Sequence, residues 1–462
     1  MKIVIIGGVA AGTKAAAKLK RLDRQAEIKI FTKSKDISYA GCGLPYYIGG
    51  DIKTREELIV NSPEKYSRLT GAQVETGCEA VGLDSKKKLV SVRREDGTVF
   101  EESYDKVILA TGAVPFVPAI DGAGLSGVFC VRTPDDAVGI RAYAQENKCR
   151  KAVVCGAGFI GLEVAENLAA LKMDVTVIDA APQIMPNAFD AEMADYAKRQ
   201  LKVGGIHVLT SVSLKGINGK DHVEGVLTDN GVLPADLVIL AIGVRPATGF
   251  LAESGLEMLK GTILVDEELK TNLPDVYAAG DCAMVKNAMT GKPQWSAMGS
   301  TANLAARAMA KRMHDAGKGY GGCLGTGVVR LLPTLNGGRT GLTQEQAKDA
   351  GYDAVSVVCI LDDKAHYYPG SSIFITKLIA DRDSHRLLGM QVIGGGAVDK
   401  MADIAVTGIS MGCKAEDFIT MDFAYAPPFS TAIHPFAPAC SILANKMSGR
   451  IESFTPVEYA AG

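Results

Sequence analysis

A chain of 462 residues, 47% hydrophobic and 22% charged, is long enough to bury two or three separate cores. Its 50 Lys and Arg against 52 Asp and Glu leave a formal charge of −2, so no global basic field draws it to nucleic acid or an anionic membrane, and a small-molecule partner is expected. No apolar run approaches the roughly 20 residues of a membrane helix, and Met1 to Ile6 reads as a strand rather than a signal peptide, so a cytoplasmic protein is expected.

In chain order, Lys2 to Ile6 is a β-branched run that leads into Gly7-Gly8-Val9-Ala10-Ala11-Gly12 and then an alanine-rich helical stretch to about Leu22. Strand, glycine turn and helix stand in the order a dinucleotide pyrophosphate requires, because backbone N–H groups and the helix N-terminus then face the phosphates. Gly7, Ala10 and Gly12 form the candidate cradle. Val9 occupies the usual second glycine, and the acidic residue expected after the next strand, Ile28 to Phe31, is replaced by Thr32, with Lys33 beside it. Lys14, Lys18 and Arg21 recur at i, i+4 and i+7, which puts them on one helix face; a solvated face would show the same spacing. The run Ser38-Tyr39-Ala40-Gly41-Cys42-Gly43-Leu44-Pro45-Tyr46-Tyr47 carries one cysteine.

Val107 to Ala113 reads as a buried strand ending in a small-residue turn. Lys151 to Cys155 is a further strand before Gly156-Ala157-Gly158-Phe159-Ile160-Gly161, a complete G-x-G-x-x-G that opens the helix Leu162 to Leu171. The strand Val175 to Ile178 ends in Asp179, at the spacing of a carboxylate that grips a ribose 2′-hydroxyl. Ala180-Ala181-Pro182-Gln183 brings no cation to receive a 2′-phosphate, so NADH is expected in preference to NADPH. Asp236 to Ala241 with Gly243-Val244-Arg245-Pro246 is the counterpart of the Val107 strand, and Val276 to Asp281 sets an aspartate where it can accept hydrogen bonds from a polyol. A helix from near Ala297 through Arg307 follows, with Asn303 one to two turns inside. From Cys323 onward no glycine fingerprint recurs, and the runs Val328 to Leu332, Val355 to Leu361, Ile373 to Ile379 and Leu387 to Ile393 with the helix Val398 to Met411 suggest an α+β module. The ten cysteines hold no C-x-x-C pair and no zinc or iron-sulfur spacing, so no metal is expected, and nine of them read as inert buried thiols.

At these motifs the chain resembles, over essentially its whole length, the FAD-dependent pyridine nucleotide-disulfide oxidoreductases. The resemblance implies an α/β fold with two Rossmann-like dinucleotide-binding domains plus a C-terminal α+β dimerisation domain. Residues 1–117 and 245–322 would form a discontinuous FAD domain, 118–244 the NAD(P)H domain and 323–462 the dimerisation domain of a homodimer. It places Asp281 on the ribitol of FAD and adds Ala80, Ala110, Thr111, Gly112, Arg132, Phe159, Ile160, Glu163 and Gly243 to the expected cofactor contacts. It also aims the N-terminus of the helix near Ala297 at the flavin.

Within that family the Cys42 run resembles the single-cysteine branch, for Tyr47 stands where a two-cysteine reductase carries its second cysteine. The branch includes coenzyme A-disulfide reductases, persulfide and polysulfide reductases, NADH oxidases and NADH peroxidases. Peroxidases and water-forming oxidases carry a histidine in the first glycine loop, where this chain has Ala10. His366-Tyr367-Tyr368-Pro369-Gly370 and Ala424-Tyr425-Ala426-Pro427-Pro428 resemble the two tyrosine motifs of coenzyme A-disulfide reductases, which nominates Tyr425, and Tyr367 or its neighbour Tyr368, to protonate a departing thiolate at the partner's active site. Lys14, Lys18, Arg21, Ser38 and Asn303 are then substrate contacts, the cations serving coenzyme A phosphates, while Thr70 and Ile433 stand where some relatives place lysines.

The expected cycle passes hydride from NADH to FAD, reduces a mixed disulfide on Cys42, and lets the Cys42 thiolate attack the next coenzyme A disulfide, persulfide or polysulfide. Three alternatives stay open: an NADH oxidase consuming oxygen, a ferredoxin-type reductase with a protein partner, and a non-catalytic redox sensor that binds NADH and FAD.

Overall fold

A computed structural model describes residues 1–315 and 318–460, which divide into two compact units. The first comprises Met1–Phe116, Arg132–Gly139 and Gly243–Cys323; the second comprises Val117–Val131, Ile140–Ile242 and Leu324–Gly462.

The first unit is built on a five-stranded parallel sheet in the order Val276–Ala278, Lys106–Leu109, Lys2–Ile6, Glu27–Phe31, Gln73–Glu75. Alternation along the first strand decides what covers each face. Ile3 and Ile5 join a core with the helices Ala10–Leu22 and Gly299–His314, through Ala15, Ala16, Ala305 and Ala306. Val4 and Ile6 pack on the other face against Val90 and Val92 of an antiparallel three-stranded sheet, Cys78–Asp84, Leu89–Arg94 and Val99–Ser103. Small alanines on both helices let the backbones approach closely. The helix expected near Ala297 starts at Gly299, because Ser296 spends its hydroxyl on Thr301 and Met298 remains extended.

In the second unit another parallel sheet runs Ile206–Thr210, Asp174–Asp179, Lys151–Cys155, Leu237–Leu240, Val128–Phe129. The helix after its glycine loop spans Phe159–Ala170, so it opens earlier than expected and carries Gly161 in its first turn. The C-terminal module is an antiparallel sheet in the order Gly327–Leu332, Leu335–Gly341, Leu387–Gly394, Ile373–Asp381, Ala354–Asp362, with the helix Val398–Met411 packed on it. The strand Leu335–Gly341 escaped sequence analysis because Gly337, Gly338 and Gly341 break the β pattern. They are needed for close approach: a Cβ on Gly337 would lie 3.3 Å from Phe189, and one on Gly341 would lie 2.2 Å from the Leu388 carbonyl.

A buried ionic cluster ties the nucleotide sheet of this unit to the C-terminal sheet. The Lys377 ammonium, 1% exposed, lies 3.0 Å from Asp190 and 2.7 Å from Glu192, and donates to the Gln344 amide oxygen at 2.9 Å. Asp190 also accepts from Gln391 at 2.7 Å. Glu166, likewise buried, pairs with Arg330 at 3.0 Å. Removing one partner of such a cluster costs about 3–5 kcal/mol, so these two modules are strongly fixed to each other. Arg132–Gly139, which sequence analysis assigns to the NAD(P)H domain, lies instead in the first unit, held there by Arg132 on Asp281 and by Arg55 on Asp135. No helix of the described residues is long and apolar enough to cross a membrane.

Candidate active site

Two glycine loops present the same backbone geometry. Gly7 has φ +115° and Gly156 φ +111°, a region that glycine occupies without the penalty a side chain would meet. Next to the Ala110 carbonyl, a Cβ on Gly7 would come within 2.1 Å; on Gly156 it would come within 2.3 Å of the Ala241 carbonyl. Gly12 and Gly161 each leave only 1.9 Å between their Cβ position and the carbonyl of Gly7 or Gly156. These glycines are therefore required by the strand-to-helix turn itself. Gly158 differs: no atom lies within 4 Å of its Cβ position, so the room beside it is available to a ligand.

The residue at the end of each second strand completes the picture. Asp179 accepts from the Ala157 amide at 2.7 Å and the Ala181 amide at 2.8 Å, so its carboxylate is fixed at the mouth of the loop. Glu163 sits in the first turns of the helix Phe159–Ala170, with Phe159 at its start and Ile160 exposed. Thr32 is buried, with its amide on the Glu75 carbonyl at 3.0 Å and its side chain against Gly8. Lys33 is exposed and pairs with Glu79 at 3.0 Å. Ala80 lies in the core beside Val90 and Val92, where a strand irregularity separates it from Gly82.

At the end of the Lys106–Leu109 strand, Ala110, Thr111 and Gly112 form the turn opposite Gly7. The Thr111 hydroxyl is buried and, apart from the Cys282 thiol beside it, has no hydrogen-bond partner among the described residues. Asp281 receives the Arg132 guanidinium at 3.2 Å, and its carbonyl accepts from the Trp295 indole at 2.8 Å. Gly243, at φ +116°, has open space at its Cβ position. A buried hydroxyl whose one neighbour is a thiol, a carboxylate at a strand end and a glycine cradle fit the ribitol and pyrophosphate of a dinucleotide such as FAD.

Cys42 occupies the single turn Gly41–Gly43 ahead of the helix Leu44–Gly49, and it is the exposed thiol of the ten. Its Sγ lies 4.0 Å from the Cβ position of Gly299, the first residue of the helix Gly299–His314. That helix has no side-chain N-cap and no acidic residue in its first turn, so its N-terminal partial positive charge is uncompensated beside the sulfur. Asn303, one turn in, donates to the Gly299 carbonyl at 2.7 Å. Gly299 was not singled out from the sequence; a glycine opening a helix is the signal that would have found it. Of the nine other cysteines expected to be buried, Cys78, Cys155, Cys282, Cys323, Cys359 and Cys440 are so, while Cys130, Cys149 and Cys413 are only partly covered because they lie at element ends and in loops. Burial pushes the thiol of Cys155 up to about 12 and that of Cys359 up to about 11.

Ser38 adopts φ +48°, with its amide on the Gly8 carbonyl at 2.9 Å. Lys14 and Lys18 are half-buried and Arg21 exposed on the helix Ala10–Leu22, and none of the three makes an ion pair among the described residues. In the second unit the phenols of Tyr367 and Tyr425 are both exposed, and the neighbouring Tyr425 phenol raises the pKa of Tyr367 above its ordinary value. The His366 and Tyr367 rings meet edge to face, with centroids 5.6 Å apart. The Tyr368 amide closes a turn onto the Ala365 carbonyl at 2.8 Å.

Comparison with known proteins extends this reading. Residues 1–308 match the pyridine nucleotide-disulphide oxidoreductase family, and residues 333–437 match the dimerisation domain of the same family. An NADH oxidase of Methanocaldococcus jannaschii is 35% identical over 97% of this chain and 100% of its own length. A CoA-dependent NAD(P)H sulfur oxidoreductase of Pyrococcus abyssi is 36% identical over 96% of this chain and 98% of its own. Among solved structures, an NAD-dependent persulfide reductase from A. fulgidus superposes with a TM-score of 0.94 at 34% identity, covering 98% of this chain and 85% of that one. With both nucleotide modules and the C-terminal module accounted for, the chain belongs to the pyridine nucleotide-disulphide oxidoreductases, a family of enzymes that bind FAD and NAD(H).

Proposed function

We propose that this protein is an NADH-dependent flavoenzyme that reduces coenzyme A disulfide, or a related coenzyme A persulfide or polysulfide, through Cys42. The observation that carries the reading is the environment of Cys42: the exposed thiol of the ten, set against the uncompensated N-terminus of the helix Gly299–His314. A nearby helix N-terminus favours the thiolate, which is the attacking form.

Gly7, Ala10, Gly12, Thr32, Lys33, Ala80, Ala110, Thr111, Gly112, Arg132, Gly243 and Asp281 would hold FAD, which supplies hydride acceptance from NADH and delivery of an electron pair to sulfur. Gly156, Gly158, Phe159, Ile160, Gly161, Glu163 and Asp179 would hold NADH, whose 2′-hydroxyl suits the fixed Asp179 carboxylate better than a 2′-phosphate does. The Cys42 thiolate attacks one sulfur of the acceptor, the S–S bond breaks, and the departing thiolate takes a proton from Tyr425, with Tyr367 beside it. The mixed disulfide so formed takes two electrons originating in NADH, releasing the second thiol and restoring the Cys42 thiolate. The sum is NADH, a proton and one disulfide in, NAD+ and two thiols out.

The cations Lys14, Lys18 and Arg21, which make no ion pair among the described residues, suit with Ser38 and Asn303 a phosphate-bearing thiol such as coenzyme A. The protein works as a cytoplasmic homodimer whose tyrosines reach the partner's cysteine, a reading supported by the match to the dimerisation domain. The NADH oxidase relative keeps oxygen as a second acceptor to be measured.

The test is anaerobic NADH consumption by the FAD-loaded protein with coenzyme A disulfide as sole acceptor, beside a Cys42→Ser variant. Turnover that falls at least about a thousandfold in the variant, while reduction of an artificial quinone persists, is the expected result. Equal turnover in both proteins, or oxygen consumed as fast as any sulfur acceptor, would sink it.

A further inference from the structure

Tyr425 lies in an irregular stretch between the turn Ala415–Phe418 and the helix Phe436–Met447. Among the described residues neither Ala424 nor Tyr425 makes a backbone hydrogen bond, so the main chain does not itself fix the phenol. Downstream of it the chain turns back, with the amides of Phe429 and Ser430 on the Ala426 carbonyl at 2.9 and 3.2 Å. Upstream, Phe423 is the anchor, and its ring rests on the ring of His434 at 4.7 Å between centroids, inclined by 35°.

His434 is held more firmly than the loop it touches. Its ring is buried, and Nδ1 accepts from the Phe436 amide at 3.2 Å, which ties the imidazole to the first turn of the helix Phe436–Met447 and puts its proton on Nε2. Phe436 in turn packs edge-on to Phe418 at 5.0 Å. The surroundings do not hold the ring by close packing: His434 borders a cavity of about 170 Å³ shared with Lys400, Met401, Pro428 and Phe429. With space on that side, the ring contact with Phe423 is a direct link between the residue anchored on the helix and the loop that carries Tyr425.

We propose that His434 is a positioning residue for Tyr425: anchored on the helix Phe436–Met447, its imidazole stacks on Phe423 and so sets where the phenol two residues further on stands. The inference rests on the proposed role of Tyr425 as proton donor. The side chain that moves a proton is Tyr425, and His434, 4% exposed and with Nδ1 occupied, acts through it. The charged groups around the cavity are Lys400 from the helix Val398–Met411 and Asp363 and Lys364 from the turn after Ala354–Asp362. Burial first and Lys400 second lower the imidazole to about 4, so it stays neutral, and keeps Nδ1 free to accept, through the whole working range.

The experiment is a double-variant cycle with His434→Ala and Tyr425→Phe, assayed anaerobically with NADH and whichever of coenzyme A disulfide, coenzyme A persulfide or polysulfide the parent protein reduces fastest. His434→Ala is expected to lower kcat for the sulfur acceptor on the order of 10-fold to 100-fold, as a misplaced catalytic group does. The KM for NADH and the quinone reductase rate should stay at parent values, and the double variant should be no slower than Tyr425→Phe alone. His434→Phe, which keeps the stack, should recover most of the rate, and the shape of the pH profile between 5 and 9 should not change. A parent-like kcat in His434→Ala, a further loss in the double variant, or a quinone rate that falls in step would each overturn the inference. Parent-like turnover in Tyr425→Phe would overturn the reading of Tyr425 first, and this inference with it.

Discussion

The two glycine loops are a natural experiment in one chain. Both take a strand into a helix through a glycine near φ +110°, and both bring the last glycine to the same 1.9 Å clearance against the first. They part where the fold makes no demand. Val9 stands in one loop where Gly158 stands in the other, and Thr32 stands just past one second strand where Asp179 ends the other. Sterics of the turn and contacts to the ligand are thus separable: the first and last glycines serve the polypeptide, while the middle position and the strand-end residue serve what is bound.

The largest effect that would break this comparison is on folding. Gly12→Ala and Gly161→Ala should each destabilise their own unit by about 3 kcal/mol or more, because the new methyl meets a backbone carbonyl that cannot move aside. Denaturant unfolding followed by FAD release for the first variant and by loss of NADH binding for the second would measure it, and tolerance of either methyl would end the equivalence of the loops.

A smaller effect is expected from copying the strand-end residue across. Asp179→Thr removes the acceptor for the Ala157 and Ala181 amides as well as the expected ribose contact, so the KM for NADH should rise about 10-fold to 100-fold, the scale of one or two charge-assisted hydrogen bonds. The rate at saturating NADH should hold. A fall in kcat with an unchanged KM would show that Asp179 does something other than grip the nucleotide.

The smallest effect on stability belongs to Gly158→Val, which rebuilds the first loop's valine in the second. Gly158 has φ −81° and ψ −175°, a conformation valine adopts freely, and its Cβ position is open. The melting temperature should stay within about 2 °C of the parent. NADH affinity should nevertheless drop, because the isopropyl group fills the room where the pyrophosphate approaches. A variant that binds NADH as tightly as the parent would mean that the second loop, like the first, has no need of a middle glycine.

Local rules made much of this legible in the sequence. Strand, glycine loop and helix are contiguous in the chain, so both cradles, the strand-end residues and the position of Cys42 could be read without knowing what packs where. The strand Leu335–Gly341 was not legible, since its glycines make sense only once Phe189 and the Leu388 carbonyl are seen at their van der Waals limits. Nor was Gly299, whose importance lies in a sulfur far away in sequence, or His434, whose partner Phe423 is joined to it by an irregular stretch with no periodicity to follow.

The sequence by itself determined that the chain has two dinucleotide cradles and one candidate redox sulfur, because those depend on spacing within a few residues and on backbone conformations that only glycine enters cheaply. Tertiary structure alone decided which cysteine is exposed, that Arg132–Gly139 packs with the first unit, and that Lys377 is buried among Asp190, Glu192 and Gln344. Those are contacts between residues far apart in the chain, and their burial and charge pairing follow from how the sheets and helices pack, which no local pattern encodes.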